Sequence, residues 1–353
     1  MSDVAAPGES SVLPAARERG WWQVLLAAAL LLLVPMVPML RILVPVDQTI
    51  VLLAPALAVC ALVGWWAGGR LPLAIAWTGL AGWVLWQFAA GGGTIAVLAC
   101  GWAVLLAAAF GSTTLLQGED ERAGQPFFAR ALAAIGIALA LVTIATFAVP
   151  DGGHALPEAI RVEAGRRAEV ALSAWRQTTA TKEWTDFAAQ HAEATTMAKQ
   201  VESQLQATPG YGLLLFPAML ALESLAALAL AWAVYHRVGR ARLGPPLAAL
   251  REFRFNDQLV WGLVLGMALV LVPWFAALSA LGANLLVFFG TIYALRGLGV
   301  GLWFLAPGRW VMALLIGFSV FFWYVLGVMA LGLGLGDTWL DWRTRARLRA
   351  ERK

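Results

Sequence analysis

Glu223 and Arg296 are the residues whose chemistry most needs explaining, because each falls near the middle of a long apolar segment. Ionisable groups at the depth of a bilayer core are rare, and they face a bundle interior, a polar cavity or one another. Glu223 stands about ten residues from one end of its segment and about thirteen from His236, roughly 15–20 Å of helix on either side. A carboxylate cannot cross that distance, so Glu223 must be protonated, paired or beside a polar cavity. Arg296 lies about nine residues from the end of its own segment, and snorkelling of its long stem recovers about half of that depth. Tyr293, one turn earlier, shares its face and is within reach of the guanidinium or of a ligand. Two arrangements follow. Either Glu223 and Arg296 pair inside the bundle, or Glu223 is neutral and locally hydrogen-bonded while Arg296 escapes to the interface.

Asn284 completes the candidate ligand-binding set of Glu223, Tyr293, Arg296 and Asn284. The same residue also fits the role of interhelical glue, as do Gln87, Thr78, Ser279 and Ser319. Cys60 and Cys100 sit inside apolar runs and read as small hydrophobes. His154, His191 and His236 are far apart and lack metal-ligand spacing, so neither a metal nor a cofactor is expected. No phosphate loop, His-Glu-x-x-His or Gly-x-Ser-x-Gly occurs, and catalysis is not expected.

The elements that must position these residues are membrane helices. Across 353 residues, 61% are hydrophobic and only 13% charged, a balance no soluble globule of this length can arrange. The fold class is therefore an all-α polytopic transmembrane bundle. Nine stretches approach the length needed to cross about 30 Å of hydrocarbon: 21–44, 50–69, 71–90, 94–116, 130–149, 213–235, 259–281, 283–305 and 310–335. The first is expected to bend at Pro35 and Pro38. Many of the 18 tryptophans lie near segment ends, where an indole buries its ring and keeps its N–H wet.

The net charge of +4 sits beside hydrophobic segments, which points to topology and anionic lipid rather than nucleic acid. Arg17, Arg19, Arg70, Arg122, Arg130 and the loop 236–258 fall on one side if every stretch spans, placing the N-terminus (tail 1–20) in the cytoplasm. Arg237, Arg240, Arg242, Arg251 and Arg254 of that loop are candidates to bind lipid headgroups or a membrane or cytoplasmic partner. Nine spans, however, put the basic tail 337–353 outside. That conflict marks the glycine-rich 310–335 stretch, or the one before it, as re-entrant or irregular, leaving eight or nine segments: five within 21–149 and the rest within 213–336.

Residues 150–212 read as an extramembrane helical hairpin broken near Gln177 to Thr181 and ended by Pro209 and Gly210. Asp337 is placed to cap a short interfacial helix carrying Trp339, Leu340 and Trp342.

Three stretches, Pro245-Pro246 with Arg251-Glu252-Phe253-Arg254-Phe255, Asn284 with Tyr293-Ala294-Leu295-Arg296-Gly297-Leu298, and Leu335-Gly336-Asp337 with Trp339, Asp341 and Arg343, resemble the YybS-like family of bacterial membrane proteins. At 296 the chain has arginine where that family is expected to carry glutamine. The family is distantly similar to the membrane-embedded substrate-binding subunits of energy-coupling-factor transporters. The resemblance thus implies a bacterial inner-membrane location and binding or translocation of a small solute within the bundle. The alternative is a non-transporting scaffold that recruits envelope or division proteins.

Overall fold

A computed structural model describes residues 20–37, 41–42, 44–116, 126–149, 152–306 and 308–351. Arg17, Arg19, Pro38 and Arg122, named above, and residues 352–353 of the basic tail lie outside these residues. Among the described residues the chain forms thirteen α-helices and no strand. The first five are α1 (Trp21–Leu33), α2 (Ile50–Trp66), α3 (Leu71–Gly91), α4 (Thr94–Leu115) and α5 (Phe127–Ala148). Then come α6 (Gly152–Thr179), α7 (Lys182–Gln190) and α8 (Ala192–Val238). The last group is α9 (Val260–Leu271), α10 (Ser279–Leu305), α11 (Arg309–Phe321), α12 (Trp323–Leu340) and α13 (Trp342–Glu351).

Among the described residues, five helical stretches are long and apolar enough to cross a membrane: α3, α4, α5, the Glu193–Val238 part of α8, and Pro273–Leu305. The α11–α12 pair adds a sixth if it counts as one span, bent by 112° at its break. That break falls within the stretch expected to be irregular. Three of the nine sequence stretches form shorter helices, each for a local reason. After α1 the chain tightens into a 3-10 turn at Val34–Met36 and leaves helical geometry at Val37, where Pro35 has removed a backbone donor. The α2 helix ends at Gly68, whose φ of +86° is the left-handed conformation that favours glycine, and Pro72 opens α3 immediately. Val272 is extended ahead of Pro273, which stops α9.

The central element is α8, 47 residues or about 70 Å of continuous helix. The expectation that Pro209 and Gly210 end a helix there is incorrect. Both lie inside α8, which passes without interruption from the polar hairpin into the apolar region. An interior proline costs about 3 kcal/mol, and packing overrides it. Leu205, Ala168 and Ala171 are buried where α8 runs against α6, Trp175 Nε1 donates to the Ala198 carbonyl (3.3 Å), and Arg176 pairs with Glu202 (2.6 Å). The hairpin break does fall where the sequence places it. Thr181 caps α7 by accepting from the Trp184 N–H at 3.3 Å.

On one side of α8 lie α2, α4 and α5. Trp232, fully buried on α8, meets Phe110 edge-on (6.0 Å between centroids) and Phe127 (5.5 Å), and its indole donates to the Pro245 carbonyl. On the other side lies α10, sandwiched between α9 and α12. Gly297 of α10 and Gly334 of α12 carry the close approach: a Cβ at Gly297 would collide with the Ala330 carbonyl, and one at Gly334 with the Tyr293 carbonyl.

Asn284 joins α10 to α8. Its Nδ2 donates to the Leu214 carbonyl (2.7 Å) and to the Ala280 carbonyl (2.8 Å), while its Oδ1 accepts from the Ala218 N–H (2.9 Å). Leu214 and Ala218 are i, i+4 partners beside Pro217, so the carboxamide is inserted into the helix's own ladder where the proline has opened it. Asn284→Leu is expected to strand both backbone groups and lower stability by about 1–3 kcal/mol, read as a reduced unfolding midpoint in detergent micelles.

Candidate functional site

Glu223 occupies the wall of α8 where the α1–α2 connection folds onto it. The Val46 N–H donates to Glu223 Oε2 at 3.0 Å. The residue is 9% exposed, and its Oε1 is buried with no hydrogen-bond partner. Next in sequence, Ser224 is fully buried and accepts from the Trp102 indole (2.9 Å), fastening α8 to α4 from a different face.

The turn that reaches Glu223 is itself clamped by α6. Arg167, 7% exposed, pairs with Asp47 (2.9 Å) and Glu163 (2.8 Å), and donates to the carbonyls of Val44 (2.5 Å) and Pro45 (3.2 Å). Arg166 holds Glu163 at 2.5 Å, and Arg41 also binds Asp47. A buried cation is tolerable only when paired and hydrogen-bonded, and here every direction of the guanidinium is used. Burial raises the Glu163 carboxyl, yet bonds from Arg166 and Arg167 outweigh it and hold the group down at about 2.

Glu223 also lines an open groove of about 950 Å³ between α1 and α8, roofed by residues 246–250 and by Leu295 of α10. Val24, Leu31, Ala226 and Leu230 make its walls apolar, and His236 and Arg237 stand at the far end. Glu223 and His236 are about 20 Å apart along the helix.

Arg296 faces elsewhere. Leu295 points into the groove, and Arg296, rotated about 100° from it, points toward α12. Its Nε donates to Asp337 Oδ2 (3.0 Å) and its terminal nitrogen to Asp257 Oδ1 (2.6 Å). Arg343 reaches the same Asp337 oxygen at 2.6 Å and donates to the carbonyls of Arg251 (3.0 Å) and Phe253 (3.2 Å). The Phe255 ring lies 5.3 Å from the Arg296 guanidinium carbon, and Tyr293 packs edge-on against it. Asp337 is 0%, Arg343 1% and Arg296 3% exposed.

Two expectations are thereby corrected. Glu223 and Arg296 do not pair, because each has its own partners on a different face of the bundle. Arg296 is buried where the glycine contact between α10 and α12 brings Asp337 to it, and its other partner, Asp257, is an exposed residue of the connection between α8 and α9. Asp337 caps no helix: it lies inside α12, which ends at Asp341, a residue in the left-handed region (φ 40°) bonded to Arg254 at 2.8 Å. Of the candidate ligand set, only Glu223 lines the groove. Tyr293 and Arg296 belong to the ionic cluster, and the Asn284 amide is engaged with backbone.

Within the basic loop, Arg240, Arg242, Arg251 and Arg254 are exposed, while Arg237 donates to the Ala233 carbonyl at 2.7 Å. Arg130, a topology marker in the sequence, is buried: it donates to the Leu243 carbonyl (2.6 Å) and lies over the Trp232 ring. Arg130, Arg167, Asp337 and Arg343 are the buried charges that sequence reading passed over. Arg130, Asp337 and Arg343 stand at the edges of apolar segments and Arg167 stands within the polar hairpin, all places where charge is ordinary. The one available signal was that Asp337 lies within helical reach of a hydrophobic run without a break before it.

No family model matches the chain, and neither does any curated protein or any solved structure. The three stretches singled out in the sequence meet in space at the Arg296–Asp337–Arg343 cluster.

Asp337→Asn, which leaves two buried guanidinium groups short of their counter-ion, is expected to cost about 3–5 kcal/mol in unfolding experiments. Glu223→Gln and Arg296→Gln share no partner, and their losses should add to within about 0.5 kcal/mol in the double variant. Glu163 has a folded value of about 2, below its ordinary 4.5. Its contribution is therefore present above about pH 4.5 and is lost as the pH falls toward 2. A thermal-unfolding series over that window should show a decline that Glu163→Gln flattens.

Proposed function

We propose that this is a multi-pass membrane protein that binds or translocates a small solute in the groove between α1 and α8, with Glu223 as its principal polar contact. The observation that carries the reading is a groove-lining carboxylate nine-tenths buried in an apolar wall, one oxygen satisfied by Val46 and the other buried without a partner. Buried polar atoms are rarely left unpaired, and the exceptions concentrate at functional sites. A volume of about 950 Å³ lies at the upper end of the roughly 300–1,000 Å³ of small-molecule sites.

In this reading the short helices α1, α2 and α9 lie within the membrane beside the longer ones, giving the eight or nine segments the sequence suggests. Contact between Gly64 of α2 and Tyr235 of α8 supports it, since it sets α2 alongside the apolar half of α8. The N-terminus and the 239–259 connection face the cytoplasm of a bacterial cell, where Arg240, Arg242 and Arg251 meet anionic headgroups. Arg296 and Tyr293 act as the rigid support of the groove's α10 wall.

Ala226 is exposed on the groove wall, so Ala226→Trp fills the groove without entering the core. A metabolite screen by thermal shift is expected to find a stabilising compound, worth about 2.7 kcal/mol at a hundred times its Kd, whose effect Ala226→Trp removes. Stabilisation unchanged in Ala226→Trp would place the binding site elsewhere.

A further inference from the structure

We infer that the groove takes a single-chain amphiphile whose headgroup donates a hydrogen bond to Glu223 Oε1, with the apolar chain running along α8 toward His236. The inference rests on the solute-binding reading above and adds the chemical class of the solute.

Three observations carry it. First, the polarity of the groove is end-weighted. Between Glu223 and the His236–Arg237 pair, the α8 face offers Ala226, Ala229, Leu230 and Ala233, opposed by Val24, Ala27 and Leu31 of α1. A compact polar metabolite would leave its polar atoms unpaired over most of that length, whereas an alkyl chain loses nothing. Second, only one face of the Glu223 carboxylate is used. Val46 supplies the donor for Oε2, and Oε1 is buried without one. Two neighbouring donors are already committed, Arg167 to Asp47, Glu163 and two carbonyls, and the Trp102 indole to Ser224. An incoming headgroup therefore has an acceptor to satisfy and no protein donor to displace.

Third, the local charge leaves the headgroup's charge open. Arg41, Arg166 and Arg167 stand against Asp47, Glu163 and Glu223, three cations to three acids when Glu223 is ionised. An ionised Glu223 is thus balanced without a cation from outside. A hydroxyl and an ammonium share the chemistry required, an N–H or O–H pointed at a carboxylate oxygen. An ester or ether head of the same chain does not.

The test uses the full chain in nanodiscs with three probes of matched chain length: hexadecanol, hexadecylamine and methyl palmitate. In the wild type, both donor-headed probes should bind at least about tenfold more tightly than the methyl ester, the scale of one hydrogen bond to a charged acceptor. Comparing the alcohol with the amine tells a neutral source of the donor from a cationic one. Glu223→Gln supplies the converse. Its amide oxygen keeps the Val46 bond and its amide N–H₂ takes the place of the unpartnered Oε1, so the preference should turn toward methyl palmitate.

Equal binding of all three probes in wild type and Glu223→Gln, abolished by Ala226→Trp, would overturn the headgroup class and leave the groove as a solute site. No binding of any probe, while a compound from the metabolite screen still depends on the open groove, would overturn the amphiphile class as well. Binding that ignores Ala226→Trp would remove the groove itself.

Discussion

The carboxylate of Asp337 holds together more of this molecule than any other single group. Two arginines from different helices converge on one of its oxygens in a place that water does not reach. A lone charge there would be intolerable, and removing Asp337 deprives both arginines of their shared counter-ion. The consequence is geometric. Arg296 fixes the rotation of α10, Arg343 fixes the start of α13, and through carbonyls Arg343 fixes the chain at 251–253. The turn of α10 that results puts Leu295, rather than a charge, into the groove.

A second ionic assembly does the same beside Glu223. Arg167 on α6 ties down the turn between α1 and α2, and that turn delivers the Val46 N–H to Glu223. The two assemblies share no residue, and between them the apolar faces of α1 and α8 meet loosely enough to leave the groove. Lipid offers helices no hydrophobic reason to associate, so specific polar ties, together with glycine contacts such as Gly297–Gly334, decide which faces come together.

Sequence reading reached the all-helical class, the hairpin break before Thr181 and the burial of the Glu223 carboxylate. It reached them because hydrophobic runs, cap residues and a deep carboxylate are local properties. What it missed was long-range. Asp337 and Arg296 are 41 positions apart, and nothing in either neighbourhood says they touch. Pro209 looked like a stop because its intrinsic cost is local, whereas the burial of Leu205 against α6 that outweighs it is tertiary. Asn284 carried two readings from the start, and contacts with Leu214 and Ala218 some 70 residues away selected between them.

Because α8 stays helical from the hairpin to Val238, it belongs to two parts of the molecule at once. Its first half is braced by the polar hairpin, and its second half is a wall of the groove. Between them, where Pro217 opens the ladder, the Asn284 carboxamide bridges Leu214 and Ala218 and ties the weakest turn to α10. The helix packed on the hairpin and the helix that carries Glu223 are the same object, with α10 splinting the turn that joins its halves.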